Sequence, residues 1–301
     1  MEARLQQFWS KLPNSRLLSP WQTSRRFPEL TYVREDLIGS FKARKYLTLV
    51  PWLVDQKFSK VRLEGSSHSS NLLQLGLLLQ QVGIQPIYTL EGREGPPVGN
   101  GLLNRLVLGK GYGVSTDDQA DWTVPEGGNC TQSLAGSLGI VGSLVEQSIT
   151  CGLLPERIFV DAGTGFTAAA LILGIGYFQL PCQLCVVSMT GQTRLQLDAL
   201  VAKLCPEFEQ LMGVPANPGP YQLEYPVTGP SFGSIPSGVF EEIQNFAQQE
   251  GILVDPLYTA KLSLAYQTLR YPIAPSLMFV SGGHRDLLGF QGPLQHWLSS
   301  R

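Results

Sequence analysis

The sequence predicts an α/β protein whose sheets are built from parallel βαβ units. Short apolar runs of strand length alternate with longer helical segments along the chain. This alternation is typical of parallel strands that are joined by crossover helices. Two of the runs end in small residues just before a helix begins, at residues 65–71 and 163–167. Because ligands of such folds bind where parallel strands end, both turns are candidate site segments.

Each predicted element follows from its pattern of apolar residues. Strands are predicted at residues 30–34, 60–64, 84–90, 157–162, 183–189 and 276–280. Helices are predicted at residues 4–12, 42–56, 72–82, 102–108, 134–147, 193–204, 237–250 and 260–269, with another that begins at residue 167. Residues 91–101 and 213–236 are rich in Gly and Pro and predict loops, the second of them long and lying over the site.

Composition limits the class of protein. The 301 residues are 43% hydrophobic and 15% charged, as in an ordinary globular protein with a sizeable core. A formal charge of −2 leaves no basic surface for nucleic acid. No uninterrupted apolar run reaches the roughly 18 residues that span a bilayer, and residues 1–7 do not resemble a signal peptide. We therefore expect a soluble, cytoplasmic protein without a nucleic-acid or membrane partner.

The five cysteines are an odd number and favour a reducing compartment over a disulfide framework. Cys182 and Cys185 form a Cys-x-x-Cys pair, but the surrounding residues predict entry into a buried strand. No second Cys pair or His pair completes a metal set, so we expect no metal.

Residues 39–45 (GSFKARK) place Lys42 at the start of a predicted helix. A lysine amine becomes a Schiff-base nucleophile when it is desolvated or lies beside other cations, because both lower its pKa. Arg44 and Lys45 are the neighbouring cations. A lysine at a helix start is more often a solvated surface residue, so the hypothesis of a nucleophile depends on two further motifs.

The first of these motifs is the segment 65–71 (GSSHSSN), where five of seven residues are Ser or Asn. Small residues between a strand and a helix leave backbone N–H groups unpaired, and these form an anion site. The alternative is a plain N-cap, which needs only one such residue. We favour the anion site, and we interpret His68 as a turn residue.

The second motif is the segment 163–167 (GTGFT), which follows a buried-strand run. Its glycines allow a ligand close to the backbone, and the helix behind it directs its positive end at an anion. The motif predicts a phosphate cup. It lacks the Gly-Lys-Ser/Thr ending of a nucleotide P-loop, and Ala168 stands where a dinucleotide turn has its third glycine. A nicotinamide-binding Rossmann protein remains an alternative.

Together these motifs resemble the 1-aminocyclopropane-1-carboxylate deaminase/D-cysteine desulfhydrase family of pyridoxal phosphate enzymes. The resemblance covers residues 34–290 and depends on REDL before GSFKARK, on EGGN at 126–129 and on EGILVDPLYT at 250–259. It implies a three-layer, tryptophan synthase β-like fold (fold type II) with two open parallel-sheet domains and a cleft between them. The expected large domain comprises residues 1–44 and 139–301, and the small domain residues 45–138. We further expect pyridoxal 5′-phosphate as cofactor and a homodimer.

The resemblance also implies residue roles. Lys42 would carry the cofactor and move the substrate's protons, Asn71 would hydrogen-bond the phenolic oxygen, and Ser70 would hold the substrate carboxylate. Tyr258 would face the substrate. Ser281 would lie near the pyridine nitrogen and, being a hydroxyl, leave that nitrogen largely unprotonated. The remaining predicted cofactor-binding residues hold the phosphate and are Gly163, Thr164, Gly165, Phe166 and Thr167.

Three departures from the family pattern concern the substrate. Residues 69–72 read SSNL instead of QSNH, Phe232 replaces a second active-site tyrosine, and Thr259 stands where the deaminases have Glu and the desulfhydrases Thr. We therefore expect α,β-elimination from a small amino acid such as D-cysteine, giving a 2-oxo acid and ammonia. The alternatives are a 1-aminocyclopropane-1-carboxylate deaminase and a catalytically silent relative that binds the cofactor.

Overall fold

A computed structural model of the chain describes residues 1–91, 98–108, 119–229, 232–269 and 273–300. Its strands are β1 (Trp21–Thr23), β2 (Leu30–Arg34), β3 (Lys60–Ser66), β4 (Gln85–Glu91), β5 (Trp122–Val124), β6 (Arg157–Ala162), β7 (Gln183–Ser188), β8 (Tyr221–Glu224) and β9 (Ser276–Val280). Its helices are α1 (Glu2–Lys11), α2 (Phe41–Asp55), α3 (Ser70–Gln81), α4 (Asn100–Leu108), α5 (Leu134–Cys151), α6 (Phe166–Phe178), α7 (Arg194–Met212), α8 (Ser237–Asn245), α9 (Thr259–Thr268) and α10 (Gln291–Ser299).

The larger sheet has six strands in the order β1-β2-β9-β6-β7-β8. All neighbours are parallel except β1, which pairs antiparallel with β2 at the edge. Side chains alternate between the two faces of the sheet. Ile158 and Val160 of β6 belong to the core under α1, α5, α6 and α7, whereas Phe159 belongs to the core under α8 and α9. The sheet therefore lies between two layers of helices, as the three-layer prediction requires.

The smaller sheet has three parallel strands in the order β4-β3-β5. Leucines of α3 and the apolar face of α2 cover it, with Leu49, Leu53, Leu75 and Leu79 fully buried. Its strands all lie within the predicted small domain, and those of the larger sheet lie within the predicted large one. The boundaries at residues 44 and 139 stay a prediction.

Helix α2 joins the two parts of the molecule. It packs on the smaller sheet through Leu49 and on α5 through its own backbone. A side chain at Gly136 of α5 would overlap the carbonyl of Arg44, so glycine is required for this close contact. The N-terminus of α2, with Lys42, is thereby fixed next to both sheets.

The expectation of an uninterrupted loop at residues 213–236 is wrong. Residues 213–236 contain the edge strand β8. Its run Tyr221–Glu224 is short, and the Gly and Pro residues around it led to the prediction of a loop. Residues Thr131–Cys151, which include α5, form one helical segment long and apolar enough to cross a membrane by length and composition. The most apolar part of that segment is 67% buried inside the protein, as is typical of core helices. Residues 92–97 of the predicted loop 91–101 lie outside the described residues.

Candidate active site

A cavity of ≈ 280 Å³ lies where the strand ends of both sheets meet α2, α3 and α6. Its lining includes every site residue that the sequence predicts. These residues come from distant parts of the chain, and they are Lys42, Ser70, Asn71, Gly163, Thr164, Gly165, Phe166, Thr167, Tyr258 and Ser281. The structure thus brings them together, while their individual roles stay predictions.

Lys42 lies in the first turn of α2, behind a strained turn. Ser40 has φ 88°, which is unfavourable for a residue with a Cβ, and its side chain caps the helix by accepting from the Lys42 N–H. Gly282, after β9, packs against Ser40, where an added Cβ would lie only 3.0 Å from the serine Cβ. The ends of β2 and β9 therefore fix where α2 begins.

Burial lowers the pKa of the Lys42 amine. Asp286, Asp161 and Asp255 oppose this effect, and Arg285 adds to it. The expectation that Arg44 supplies the nearby positive charge is wrong, because its guanidinium is paired with Glu35 in the protein interior, with Nε 2.8 Å from Oε2. Desolvation is thus the largest cause of the lowered pKa of Lys42.

Lys45, one turn after Lys42, is a second buried amine in the cavity wall. It donates to the Gly127 carbonyl at 2.8 Å and to Asn129 Oδ1 at 2.9 Å. Burial and the charge of Lys42 lower its pKa to about 7. The sequence motif at 126–129 thus forms the hydrogen-bonding partner of Lys45, a role that sequence reasoning missed.

Asn71 lies near the start of α3, where Ser69 is the N-cap and accepts from the Leu72 N–H. The Tyr46 hydroxyl donates to Asn71 Oδ1 at 2.8 Å. Asn71 Nδ2 is buried and has no partner among the described residues. The first-turn residue Ser70 lines the same cavity. This turn is therefore a helix cap, as one of the two sequence interpretations has it, and also a polar wall of the cavity, while the anion site stays a prediction.

The predicted phosphate cup joins β6 to α6. Gly165 is the N-cap of α6 with φ 81°, and no side chain caps the helix. A Cβ at this position would displace the end of the Gln192 side chain, and the positive φ itself favours glycine. The first turn of α6 therefore keeps N–H groups that no side chain caps, with Thr164 and Thr167 also lining the cavity, and phosphate binding here stays a prediction.

Tyr258 and Phe232 form the apolar wall of the cavity, with ring centroids 5.4 Å apart. Burial raises the pKa of Tyr258, and Asp161 and Asp255 raise it further, so the phenol keeps its proton. Behind it, the Thr259 and Ser281 hydroxyl oxygens are 3.4 Å apart. Asp255 accepts from the N–H groups of residues 257–259 and thereby fixes the turn before α9.

Sequence reasoning missed four further polar residues of the cavity. Asp161 was interpreted only as part of a buried strand, and His284, Arg285 and Asp286 follow the Gly-Gly pair after β9 without a recognised motif. Burial and Asp255 raise the pKa of Asp286 to about 6, while Asn100 donates a hydrogen bond to it. The sequence did contain a signal for Asp161. A carboxylate inside an apolar strand run is costly to bury unless it is paired, so such a residue is a candidate functional group.

The cavity fits pyridoxal phosphate by three separate observations. Lys42 offers an amine with a lowered pKa, α6 offers uncapped N–H groups for a phosphate, and Asn71 offers an unpaired donor for the phenolic oxygen. A nicotinamide dinucleotide accounts for the second observation but not for a buried lysine.

Comparison with known proteins agrees with this interpretation. The chain is 26% identical over 298 residues to a putative 1-aminocyclopropane-1-carboxylate deaminase of Pyrococcus furiosus, with 87% of this chain and 88% of that protein covered. It is 24% identical over 254 residues to the 1-aminocyclopropane-1-carboxylate deaminase of Cyberlindnera saturnus, with 74% of each chain covered. No family model matches the chain.

Solved structures show the same fold. An ACC deaminase homologue superposes with a TM-score of 0.83 at 22% identity, covering 97% of this chain and 99% of that one. A fungal L-serine ammonia-lyase from Rhizomucor miehei superposes with a TM-score of 0.64 at 14% identity, covering 95% and 98%.

The fold is therefore that of the fold-type II pyridoxal phosphate-dependent enzymes, and the predicted fold class is confirmed. The predicted resemblance to the 1-aminocyclopropane-1-carboxylate deaminase/D-cysteine desulfhydrase family is confirmed as well. These proteins support the predictions that the chain is an enzyme and that its cofactor is pyridoxal phosphate. The homodimer and the cytoplasmic location stay predictions.

Proposed function

We propose that the protein is a pyridoxal phosphate-dependent lyase that removes a β-leaving group and the amino group from a small amino acid. The observation that carries the proposal is the common cavity of the Lys42 amine, the unpaired Asn71 amide and the uncapped start of α6. D-cysteine or a related β-substituted alanine is the proposed substrate, and a 2-oxo acid and ammonia are the products.

In this proposal the cofactor, once bound, supplies the electron sink that makes the α-proton of the substrate acidic. Lys42 and Asn71 hold its ring, with Ser281 near the ring, and residues 163–167 hold its phosphate. Because no side chain caps α6, a phosphate there would satisfy N–H groups that otherwise lack partners.

Three side chains of the chain act on the substrate. Ser70 and the start of α3 bind its carboxylate. Lys42 takes the α-proton, and its lowered pKa keeps the amine unprotonated nearer neutral pH, as a general base requires. Tyr258, whose raised pKa keeps the phenol protonated, orients the substrate or protonates the departing thiolate.

Two residues next to Tyr258 favour elimination over opening of a cyclopropane ring. Phe232 presents an apolar ring beside Tyr258 where the family resemblance expects a second phenol. Thr259 is fully buried and faces Ser281, so it offers a hydroxyl where the deaminases have a carboxylate.

A second candidate is 1-aminocyclopropane-1-carboxylate deamination. It is favoured by the names of the curated relatives, several of which are deaminases of that substrate. The two candidates share the cofactor and the attachment lysine. They differ in the substrate and in the bond that breaks, which is the bond to a β-leaving group in one and a C–C bond of the ring in the other.

A substrate panel tests the proposal. The purified protein is given D- and L-cysteine, D- and L-serine, β-chloro-D-alanine and 1-aminocyclopropane-1-carboxylate, and release of 2-oxo acid is measured. Turnover of D-cysteine or β-chloro-D-alanine is the expected result. Turnover of the cyclopropane substrate alone selects the second candidate, and no turnover with cofactor bound selects a silent relative.

Lys42→Ala is the control for the cofactor itself. Borohydride reduction of the wild-type protein is expected to leave the cofactor's mass on the peptide that contains Lys42, and the variant should carry no such adduct. A wild-type protein that retains no cofactor would contradict the proposal at its first step.

A further inference from the structure

Asp161 is a buried carboxyl in the cavity wall for which the proposed chemistry has no use. It is 5% exposed and lies near the end of β6, two residues before Gly163. Its Oδ1 atom has no hydrogen-bond partner among the described residues. Since buried polar atoms in folded proteins are nearly always paired, this oxygen is suited to a donor on a ligand.

The two carboxyls nearest to Asp161 in charge are already engaged. Asp255 accepts three backbone N–H groups, and Asp286 accepts the side-chain amide of Asn100. Asp161 accepts the hydroxyl of Ser281 and its own backbone N–H, while its buried Oδ1 has no partner among the described residues. This oxygen is left for a donor on a ligand.

The charges around Asp161 come from three neighbouring parts of the fold. Lys42 faces it from α2, Asp255 and Tyr258 face it from the segment before α9, and the Ser281 hydroxyl follows β9. Burial raises the pKa of Asp161 to about 7, and the nearby charge of Asp255 adds to the effect. A positively charged ligand atom at the free oxygen would relieve both costs.

Pyridoxal phosphate has one polar ring atom, its nitrogen, to which the residues assigned so far bring only the hydroxyl of Ser281. Its phosphate, phenolic oxygen and aldehyde carbon have candidates in the phosphate cup, Asn71 and Lys42. The ring nitrogen remains, and in its protonated form it is a charged donor that needs a buried acceptor.

We propose that the free oxygen of Asp161 accepts a hydrogen bond from the protonated ring nitrogen of the bound cofactor, while Ser281 donates to the second oxygen. This inference rests on the proposed function, because it needs the cofactor in the cavity. One proton moves when the cofactor binds: the Asp161 O–H bond breaks and the N–H bond of the ring forms, which leaves a carboxylate beside a pyridinium.

The assignment changes the expected electronics of the site. The family resemblance places a hydroxyl at the nitrogen and implies an unprotonated ring. With Asp161 there, the ring carries a proton and withdraws electrons more strongly from the substrate, while Ser281 orients the carboxylate. The negative charge at the ring thus comes from Asp161 on β6, because the neutral Thr259 of α9 cannot provide one.

The protonation state of the ring is measured directly by NMR on protein that is reconstituted with ¹⁵N-labelled pyridoxal phosphate. The wild-type resonance is expected at the position of a protonated pyridine at neutral pH. In Asp161→Asn it should move to the position of an unprotonated one, because the amide cannot balance a pyridinium charge. Cofactor affinity should fall about 10- to 100-fold with loss of the charged hydrogen bond.

Asp286→Asn is the matched control, since it removes another carboxyl with a raised pKa from the lining of the same cavity. Its ring resonance is expected to remain protonated. An unprotonated ring in the wild-type protein contradicts the inference even if Asp161→Asn does not fold, and so does a protonated ring in Asp161→Asn. If the wild-type protein does not retain the labelled cofactor, the proposed function itself is wrong.

Discussion

The Tyr46 hydroxyl donates a 2.8 Å hydrogen bond to the Asn71 side-chain oxygen, so that one side chain of α2 orients one of α3 at the wall of the cavity. Both residues are almost fully buried, with exposures of 5% and 1%. Burial raises the pKa of Tyr46, so its hydroxyl remains a donor. This hydrogen bond directs the amide oxygen of Asn71 toward Tyr46. The amide nitrogen, Nδ2, then has no partner among the described residues.

Removal of this hydroxyl should therefore weaken cofactor binding. Tyr46→Phe leaves the Asn71 side chain free to rotate. The lost hydrogen bond is worth about 1 kcal/mol of binding free energy, so the Kd for pyridoxal phosphate should rise roughly 5-fold. The measurement is a titration of the cofactor-free protein. Tyr88→Phe is the control, since the Tyr88 hydroxyl lies in the same core and has no hydrogen-bond partner in the described parts of the chain. Equal losses in the two variants would show that Tyr46 acts only through packing.

The buried ion pair of Arg44 and Glu35 should be required for stability. The two side chains are 1% and 0% exposed, and Ser19 bonds both of them. Glu35→Gln leaves the guanidinium buried without a counter-charge, which should lower the free energy of unfolding by about 3–5 kcal/mol. Denaturant unfolding measures the change.

The control for the ion pair is Arg16→Gln, which breaks the pair with Glu146. There the arginine side chain is 56% exposed, and the expected loss is only ~0–1 kcal/mol. Similar losses in the two variants would mean that Glu35 contributes little beyond an ordinary surface charge.

Lys45 should make the stability of the cofactor-free protein depend on pH. Its pKa falls from 10.5 in the unfolded chain to about 7 in the folded protein, first through burial and then through Lys42. Between these values the unfolded chain binds more protons, so the free energy of unfolding rises with pH, by at most ~1.4 kcal/mol per unit. Below pH about 7 the amine is protonated in both states, and this contribution is constant.

Lys45→Met removes the titrating amine, and the rise in stability above pH about 7 should be smaller in the variant. Unfolding at a series of pH values, with Lys203→Met as an exposed-lysine control on α7, measures the difference. Parallel curves for Lys45→Met and the wild-type protein would refute the lowered pKa.

The sequence could predict those strands and site residues that a local pattern of residue types determines. Strands such as β6 and β7 were predictable because their apolar runs are buried on both faces of the sheet. Lys42 and the cup at 163–167 were predictable because each is a short motif at a strand-to-helix turn.

What the sequence could not predict depends on tertiary contacts. Strand β8 forms because its residues pair with β7, which outweighs the loop-like Gly and Pro around it. The pairing of Arg44 with Glu35 joins α2 to the turn after β2, so its sequence neighbourhood suggested only a free cation near Lys42. Asp161 is hidden in an apolar run, and its free oxygen becomes evident only when β9 and α9 are placed beside it.

Phe232 should control the choice of substrate, because it lies beside Tyr258 where the family resemblance expects a second tyrosine. Phe232→Tyr adds a phenol to the cavity, and one hydrogen bond to the ring-opening substrate is worth about 1 kcal/mol, or roughly 5-fold. The ratio of kcat/KM for 1-aminocyclopropane-1-carboxylate to that for D-cysteine should rise by this factor. Phe232→Leu keeps the wall apolar and should not raise the ratio. If both variants change it equally, the size of the side chain and not the missing hydroxyl determines the preference.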